Sequence, residues 1–192
     1  MRRRVGLMVM AILALLTVAA GVALAATIDG NNNDNHIRGT NGDDQINGRG
    51  GDDVLVGLRG SDSMYGGNGR DAVLGGDEFG PLNGDKTLDG GRHGDFVGGG
   101  YGADSLAGGP GDDYLTLGPL DDFAQDVGSG GGGDDAIFAK NRPAAKDIVD
   151  CGKGFDRVLV DSKDVTSGCE REYTSISKFF NAISPNYFAP LP

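Results

Sequence analysis

This chain predicts an all-β fold, a β-solenoid in which short parallel strands stack one above another. Three observations carry that expectation. Five nine-residue units run without a gap from Gly30 to Leu74: GNNNDNHIR, GTNGDDQIN, GRGGDDVLV, GLRGSDSMY and GGNGRDAVL. The eighth place of each unit is apolar. The composition is dominated by 36 Gly and by Asp, which supplies 25 of the 28 acidic residues. An internal repeat of this kind sets the architecture before any single residue is considered.

The unit reads G-G-x-G-x-D-x-U-x, with U a large apolar residue. Its glycines permit positive φ and let carbonyl oxygens turn inward. The x-U-x triplet is a short strand whose apolar residue faces in while its neighbours face out. One nonapeptide cannot bury that residue, but a stack of them can. The scarcity of Glu, a better helix former than Asp, argues against long solvated helices.

Beyond Leu74 the period continues with interruptions. Gly75 opens an expanded unit, GGDEFGPLNGDKTLD, followed by GGRHGDFVG from Gly90, GGYGADSLA from Gly99 and GGPGDDYLT from Gly108. Phase is lost between Leu117 and Ser129 and returns as GGGGDDAIF from Gly130. Weaker units, RPAAKDIVD from Arg142 and CGKGFDRVL from Cys151, follow. The expected core is the run of eighth places: Ile37, Ile46, Leu55, Met64, Val73, Leu88, Val97, Leu106, Leu115, Ile137, Val149 and Val158.

Charge limits the function classes. The net charge is −11, and −14 without Arg2, Arg3 and Arg4. Such a chain repels nucleic acid. Parallel stacking sets equivalent residues about 4.8 Å apart and so stacks Asp on Asp. Bare carboxylates at that spacing repel one another. A hard divalent cation with oxygen ligands resolves the conflict, and Asp with backbone carbonyls favours Ca²⁺ over Zn²⁺.

The units GRGGDDVLV, GGNGRDAVL, GGYGADSLA and GGPGDDYLT resemble the repeat of RTX (hemolysin-type) calcium-binding proteins. The resemblance covers roughly residues 30–160. It implies a right-handed parallel β-roll in which two nonapeptides make one turn. It also implies Ca²⁺ as cofactor, held between units n and n+2 by turn carbonyls and the sixth-place Asp of each. Carried onto this chain, the pairs are Asp44 with Asp62, Asp53 with Asp71, and Asp95 with Asp113. Asp104 and Asp135 are further metal candidates whose partners fall in irregular stretches. Asn35 replaces the first Asp, Asp85 stands at the fifth place of its unit, and Asp147 lacks the glycines and reads as a strand-flanking residue. The chain differs from the toxins, proteases and lipases of that family in showing no such domain before its repeats. It looks more like small secreted repeat proteins of actinobacterial type.

Arg2–Arg4 before an uncharged run from Val5 to Ile28 is a signal-peptide pattern, with an A-x-A site at Ala23–Ala25 and Ala26 first after cleavage. A retained membrane anchor is the other reading of an uncharged run this long. Both place the repeats outside the cytoplasm. There, Cys151 and Cys169, two nonapeptides apart and so one turn of the roll, are expected to form a disulfide clamping its end.

The expected organisation is a leader over 1–25, a calcium-binding roll over 26–116 with the expanded unit at 75–89, and an irregular insertion over 117–129. Weaker terminal repeats follow over 130–168, then a cap or tail over 169–192. The tail carries Phe179, Phe180, Tyr187 and Phe188 and reads either as a cap over the last apolar layer or as a partner-docking segment. A literal G-x-G-x-x-G at Gly128–Gly133 has no helix after it. Asp29-x-Asn31-x-Asn33 lacks the Gly and Glu of an EF-hand loop. His36 and His93 have no nucleophile motif beside them. The sequence thus reads as a secreted Ca²⁺-binding roll without catalytic activity, with no membrane contact after cleavage. The alternative is an adhesion module that uses the roll as a scaffold for a surface or polysaccharide. Its outward strand residues (Gln45, Asn47, Ser63, Tyr65, Thr116) form no uniform ladder.

Overall fold

The computed structural model describes residues 24–76, 84, 87–142 and 144–183. Among them, sixteen strands form two parallel sheets of eight. The odd sheet holds β1 (Thr27–Asp29), β3 (Gln45–Gly50), β5 (Ser63–Asn68), β7 (Thr87–Arg92), β9 (Ser105–Pro110), β11 (Val127–Gly132), β13 (Ile148–Lys153) and β15 (Val165–Ser167). The even sheet holds β2 (His36–Arg38), β4 (Val54–Leu58), β6 (Ala72–Gly76), β8 (Phe96–Gly100), β10 (Tyr114–Thr116), β12 (Ala136–Phe138), β14 (Arg157–Leu159) and β16 (Arg171–Tyr173). Each strand pairs with the strand two further along, so the chain alternates between sheets and winds a solenoid.

Register gives the length of every turn. Thr27 pairs with Gln45 and Gln45 with Ser63, a step of 18 each time. The expanded unit lengthens the step to 24, so that Ser63 meets Thr87. The step from Ser105 to Val127 is 22, and that from Val127 to Ile148 is 21. The last steps shorten, to 17 between Ile148 and Val165 and to 14 between Arg157 and Arg171. Every insertion is absorbed in a turn while the strands stay in register.

The core lies between the sheets. Ile46, Leu55, Met64, Val73, Leu88, Val97, Leu115, Ile137 and Val158 are fully buried, as the period predicts. One inward place breaks the pattern. Gly128 pairs with Leu106 on one side and Val149 on the other. Leu117 fills the space that Gly128 leaves, and a Cβ at Gly128 would lie 2.7 Å from the Leu117 side chain. The phase therefore resumes at Asp126, before Gly130, and residues 117–129 form one lengthened unit. At the far end the inward pair is Thr166 and Glu172, which hydrogen-bond to each other through their side chains.

The second and fourth places of the turn are left-handed, as at Gly67 (φ 115°) and Gly69 (φ 134°). Arg49, Leu58 and His93 adopt the same region without being glycine. Such backbone costs a non-Gly residue about 1–3 kcal/mol.

A short helix, α1 (Ile176–Ala182), lies against the outer face of the even sheet. Its buried Phe179 packs edge-to-face on Phe138 and Tyr173, beside Ala136 and Leu159. These strand residues flank the inward Ile137 and Val158, so they point away from the main core. Tyr187 and Phe188 lie outside the described residues. Cys151 and Cys169 form the expected disulfide with a Cα–Cα distance of 5.1 Å. The strands there step by 17 while the cysteines stand 18 apart, and Gly168 in the left-handed region (φ 69°) takes up the difference. No helix among the described residues is long and apolar enough to cross a membrane.

Candidate metal-binding turns

The sixth place of each unit ends the turn and opens the strand. At Asp44, Asp53, Asp71, Asp95, Asp104, Asp113, Asp126 and Asp135 its backbone N–H donates to the carboxylate of the sixth-place residue one turn later. Along one edge of the roll, Asp44 donates to Asp62 Oδ1 at 2.8 Å, Asp104 to Asp126 at 2.9 Å and Asp126 to Asp147 at 3.0 Å. Along the other, Asp53 donates to Asp71, Asp71 to Asp95 and Asp95 to Asp113, each at 2.8 Å. That series continues from Asp113 to Asp135 at 2.9 Å and from Asp135 to Asp156 at 2.8 Å. It ends where Asp156 donates to Glu170, whose longer side chain spans the shortened final turn.

The three sequence-derived pairs, Asp44–Asp62, Asp53–Asp71 and Asp95–Asp113, are thus brought together. Asp71 also reaches Asp95 across the expanded unit. The missing partner of Asp104 is Asp126, and those of Asp135 are Asp113 and Asp156. Asp147 is more than a strand flank, because it is fully buried and accepts from Asp126. Asp85 lies outside the described residues.

A second ladder runs the opposite way on the exposed side of the turns. Asp34, Asp43, Asp52, Asp112 and Asp134, at the fifth place, accept from the N–H of the fifth-place residue of the following turn. Their distances are 2.8–2.9 Å. The sequence signal for it was the Asp-Asp doublet of units such as GTNGDDQIN and GGGGDDAIF.

The inner ladder uses only one oxygen of many of its carboxylates. Asp53, Asp71, Asp113, Asp126, Asp135 and Asp156 are fully buried and Asp95 nearly so, and the Oδ2 of each is enclosed without a hydrogen-bond partner. Burial is the main cause that raises their pKa values, against the lowering effect of the ladder hydrogen bond. Asp71 is pushed up to about 6, Asp113 to about 7, and Asp95, Asp126 and Asp135 to about 8. Neighbouring carboxylates add to the rise, as Asp113 does at Asp95.

The first-place glycine makes room for this oxygen. A Cβ at Gly48 would overlap both Asp53 Oδ2 and the Gly66 carbonyl, and one at Gly108 would overlap Asp113 Oδ2 and the Gly130 carbonyl. Each such turn therefore presents a buried carboxylate oxygen beside a backbone carbonyl of the next turn. Among the described residues no three His, Cys, Asp or Glu side chains converge into a metal cluster. A cation here must draw largely on backbone oxygens, and an all-oxygen set suits Ca²⁺. The orphaned oxygens and the side-chain-free cradles fit such an ion.

The ends of the ladder differ. Asp44 Oδ2 accepts the Thr40 N–H at 2.6 Å, Asp147 Oδ2 accepts from Asn141 Nδ2 at 3.2 Å, and Asp164 Oδ2 accepts the Asp161 N–H at 2.7 Å. Asn35 Oδ1 accepts the Asn31 N–H at 2.8 Å.

Fold and turns together define a calcium-binding parallel β-roll. The family model of the RTX calcium-binding nonapeptide repeat (4 copies) matches residues 29–64, 48–78 and 87–124. Those segments carry RTX calcium-binding nonapeptide repeats, and the inner ladder continues past them as far as Glu170. No curated protein matches the chain.

Proposed function

We propose that this is a secreted calcium-binding roll in which Ca²⁺, held between stacked turns, completes folding, and that it has no catalytic activity of its own. The ligands are Asp53, Asp62, Asp71, Asp95, Asp104, Asp113 and Asp135, with Asp44 at the start of the series, each acting with turn carbonyls. The observation that carries this reading is the row of buried Oδ2 atoms without partners in the middle of the ladder. Burying a charged group without a partner is strongly unfavourable. A divalent cation supplies that partner and couples binding to folding. Export fits this reading: extracellular modules bind Ca²⁺ with dissociation constants of about 10⁻⁴–10⁻³ M. β1 begins at Thr27, close after the proposed leader of residues 1–25.

The test is circular dichroism of the chain from Ala26, titrated with Ca²⁺ from a chelated buffer. A β signal should grow cooperatively with Ca²⁺. A signal already complete in excess chelator at neutral pH overturns the coupling.

A further inference from the structure

Within the lengthened unit of residues 117–129, two buried carboxylates both lack a full set of partners. Leu117 takes the first place that glycine holds in the regular units and turns its side chain into the core. The regular cradle is therefore absent. In its stead the loop Gly118–Pro119–Leu120–Asp121–Asp122 closes on itself, with the Asp122 N–H donating to the Pro119 carbonyl at 3.0 Å. Asp122 is 4% exposed. Its Oδ1 accepts the Ala124 N–H at 3.1 Å, while its Oδ2 is enclosed over Gly118 with no partner. Asp126, fully buried, uses Oδ1 for the Asp104 N–H and likewise leaves Oδ2 enclosed and unpartnered. Burial is the main cause that raises the Asp126 pKa, and the carboxylates of Asp147 and then Asp122 add to the rise.

We propose that this turn is a separate divalent-cation site, in which Asp122 and Asp126 supply two carboxylate oxygens from a single unit and backbone carbonyls complete the shell. It rests on the calcium reading above but differs from the repeat sites, whose carboxylates come from different turns. Two anionic ligands on one loop make binding here less dependent on the neighbouring turns. The site takes a hard cation, Ca²⁺ or its luminescent analogue Tb³⁺.

Tyr101 provides a local reporter, since its hydroxyl donates to Asp121 Oδ1 at 2.9 Å, next to Asp122. The experiment titrates the chain from Ala26 with Ca²⁺ by calorimetry and with Tb³⁺ by tyrosine-sensitised emission. Wild type, Asp122→Asn, Tyr101→Phe and, as a repeat-site control, Asp71→Asn are compared. Asp122→Asn keeps the Ala124 hydrogen bond and removes a buried charge, so its fold in saturating Ca²⁺ should match wild type by circular dichroism. It should lose one equivalent of bound cation and, like Tyr101→Phe, the emission arising at this turn. Asp71→Asn should leave that emission in place. Unchanged stoichiometry and emission in Asp122→Asn, with Asp71→Asn impaired, overturns this site alone. Absence of cation binding by wild type overturns the calcium reading itself.

Discussion

The middle of the roll and its two ends share one hydrogen-bond ladder but satisfy it differently. At Asp53, Asp71, Asp95, Asp113, Asp126 and Asp135, and as far along as Asp156, the second carboxylate oxygen is buried without a protein donor. At Asp44, Asp147 and Asp164 a backbone N–H or the Asn141 amide fills that role. On the calcium reading proposed above, dependence on a cation follows the turns whose Oδ2 is orphaned and not the ladder geometry itself. On that reading the Asp44, Asp147 and Asp164 turns, whose Oδ2 already has a donor, depend on one least.

The largest way to test this contrast is through protons, which compete with Ca²⁺ for the same oxygens. In the metal-free fold Asp95, Asp126 and Asp135 are raised to about 8 and Asp113 to about 7. An unfolded Asp titrates at about 3.9. The folded state thus binds more protons than the unfolded chain, and its stability falls as pH rises from about 4 to about 8. In chelator, strand content by circular dichroism should be greatest near pH 4 and lowest near pH 8. With saturating Ca²⁺ that loss should disappear, and Ca²⁺ affinity should rise over the same interval. A metal-free chain equally folded at both limits would show that the buried carboxylates are not what holds the middle open.

Paired substitutions at Asp71 sharpen the comparison. Asp71→Ala removes both the charge and the acceptor for the Asp53 N–H, a buried donor whose loss of partner costs about 1–3 kcal/mol. Asp71→Asn keeps an acceptor and removes only the charge. Asn should raise the Ca²⁺ midpoint yet stabilise the metal-free fold at neutral pH, whereas Ala should weaken both states. Thermal melts with and without Ca²⁺ separate the two, and identical behaviour would mean ladder and cation site cannot be divided.

The smallest effect lies at the end of the ladder. Asn141→Ala strips the donor from Asp147 Oδ2 and the acceptor from the Ala145 N–H, for a loss of about 1–3 kcal/mol. Part of that loss should become recoverable by added Ca²⁺, because the end then resembles the middle. A melt insensitive to Ca²⁺ in this variant counts against the equivalence of the two.

Much of this was legible because each nonapeptide repeats its chemistry locally. The inward residues from Ile37 to Leu115 and the pairs Asp44–Asp62, Asp53–Asp71 and Asp95–Asp113 follow from counting places. Counting failed where a side chain from elsewhere does the work of the missing place. Gly128 hides an inward position because Leu117 fills it, and that concealed Asp126 as a ladder residue. Asp147 was obscured because its supporting donor, Asn141, comes from a loop without glycines. The seat of α1 depends on outward residues of β12, β14 and β16, which no local pattern brings together. The fifth-place ladder was visible as Asp-Asp doublets, but its direction requires knowing which turn lies above which.

The direction of the inner ladder gives the roll a polarity in time. Its sixth-place N–H groups wait for a carboxylate that lies later in the chain, from Ala26 reaching Asp44 at 2.7 Å to Asp156 reaching Glu170 at 2.8 Å. As the polypeptide is made from its N-terminus, each turn emerges before the residue that completes it. Shortening the chain from its start leaves a carboxylate that a cation can still serve. Shortening it from its end leaves an N–H with no acceptor, which no cation can replace. The end whose loss the roll tolerates least is the end that the Cys151–Cys169 bond ties down.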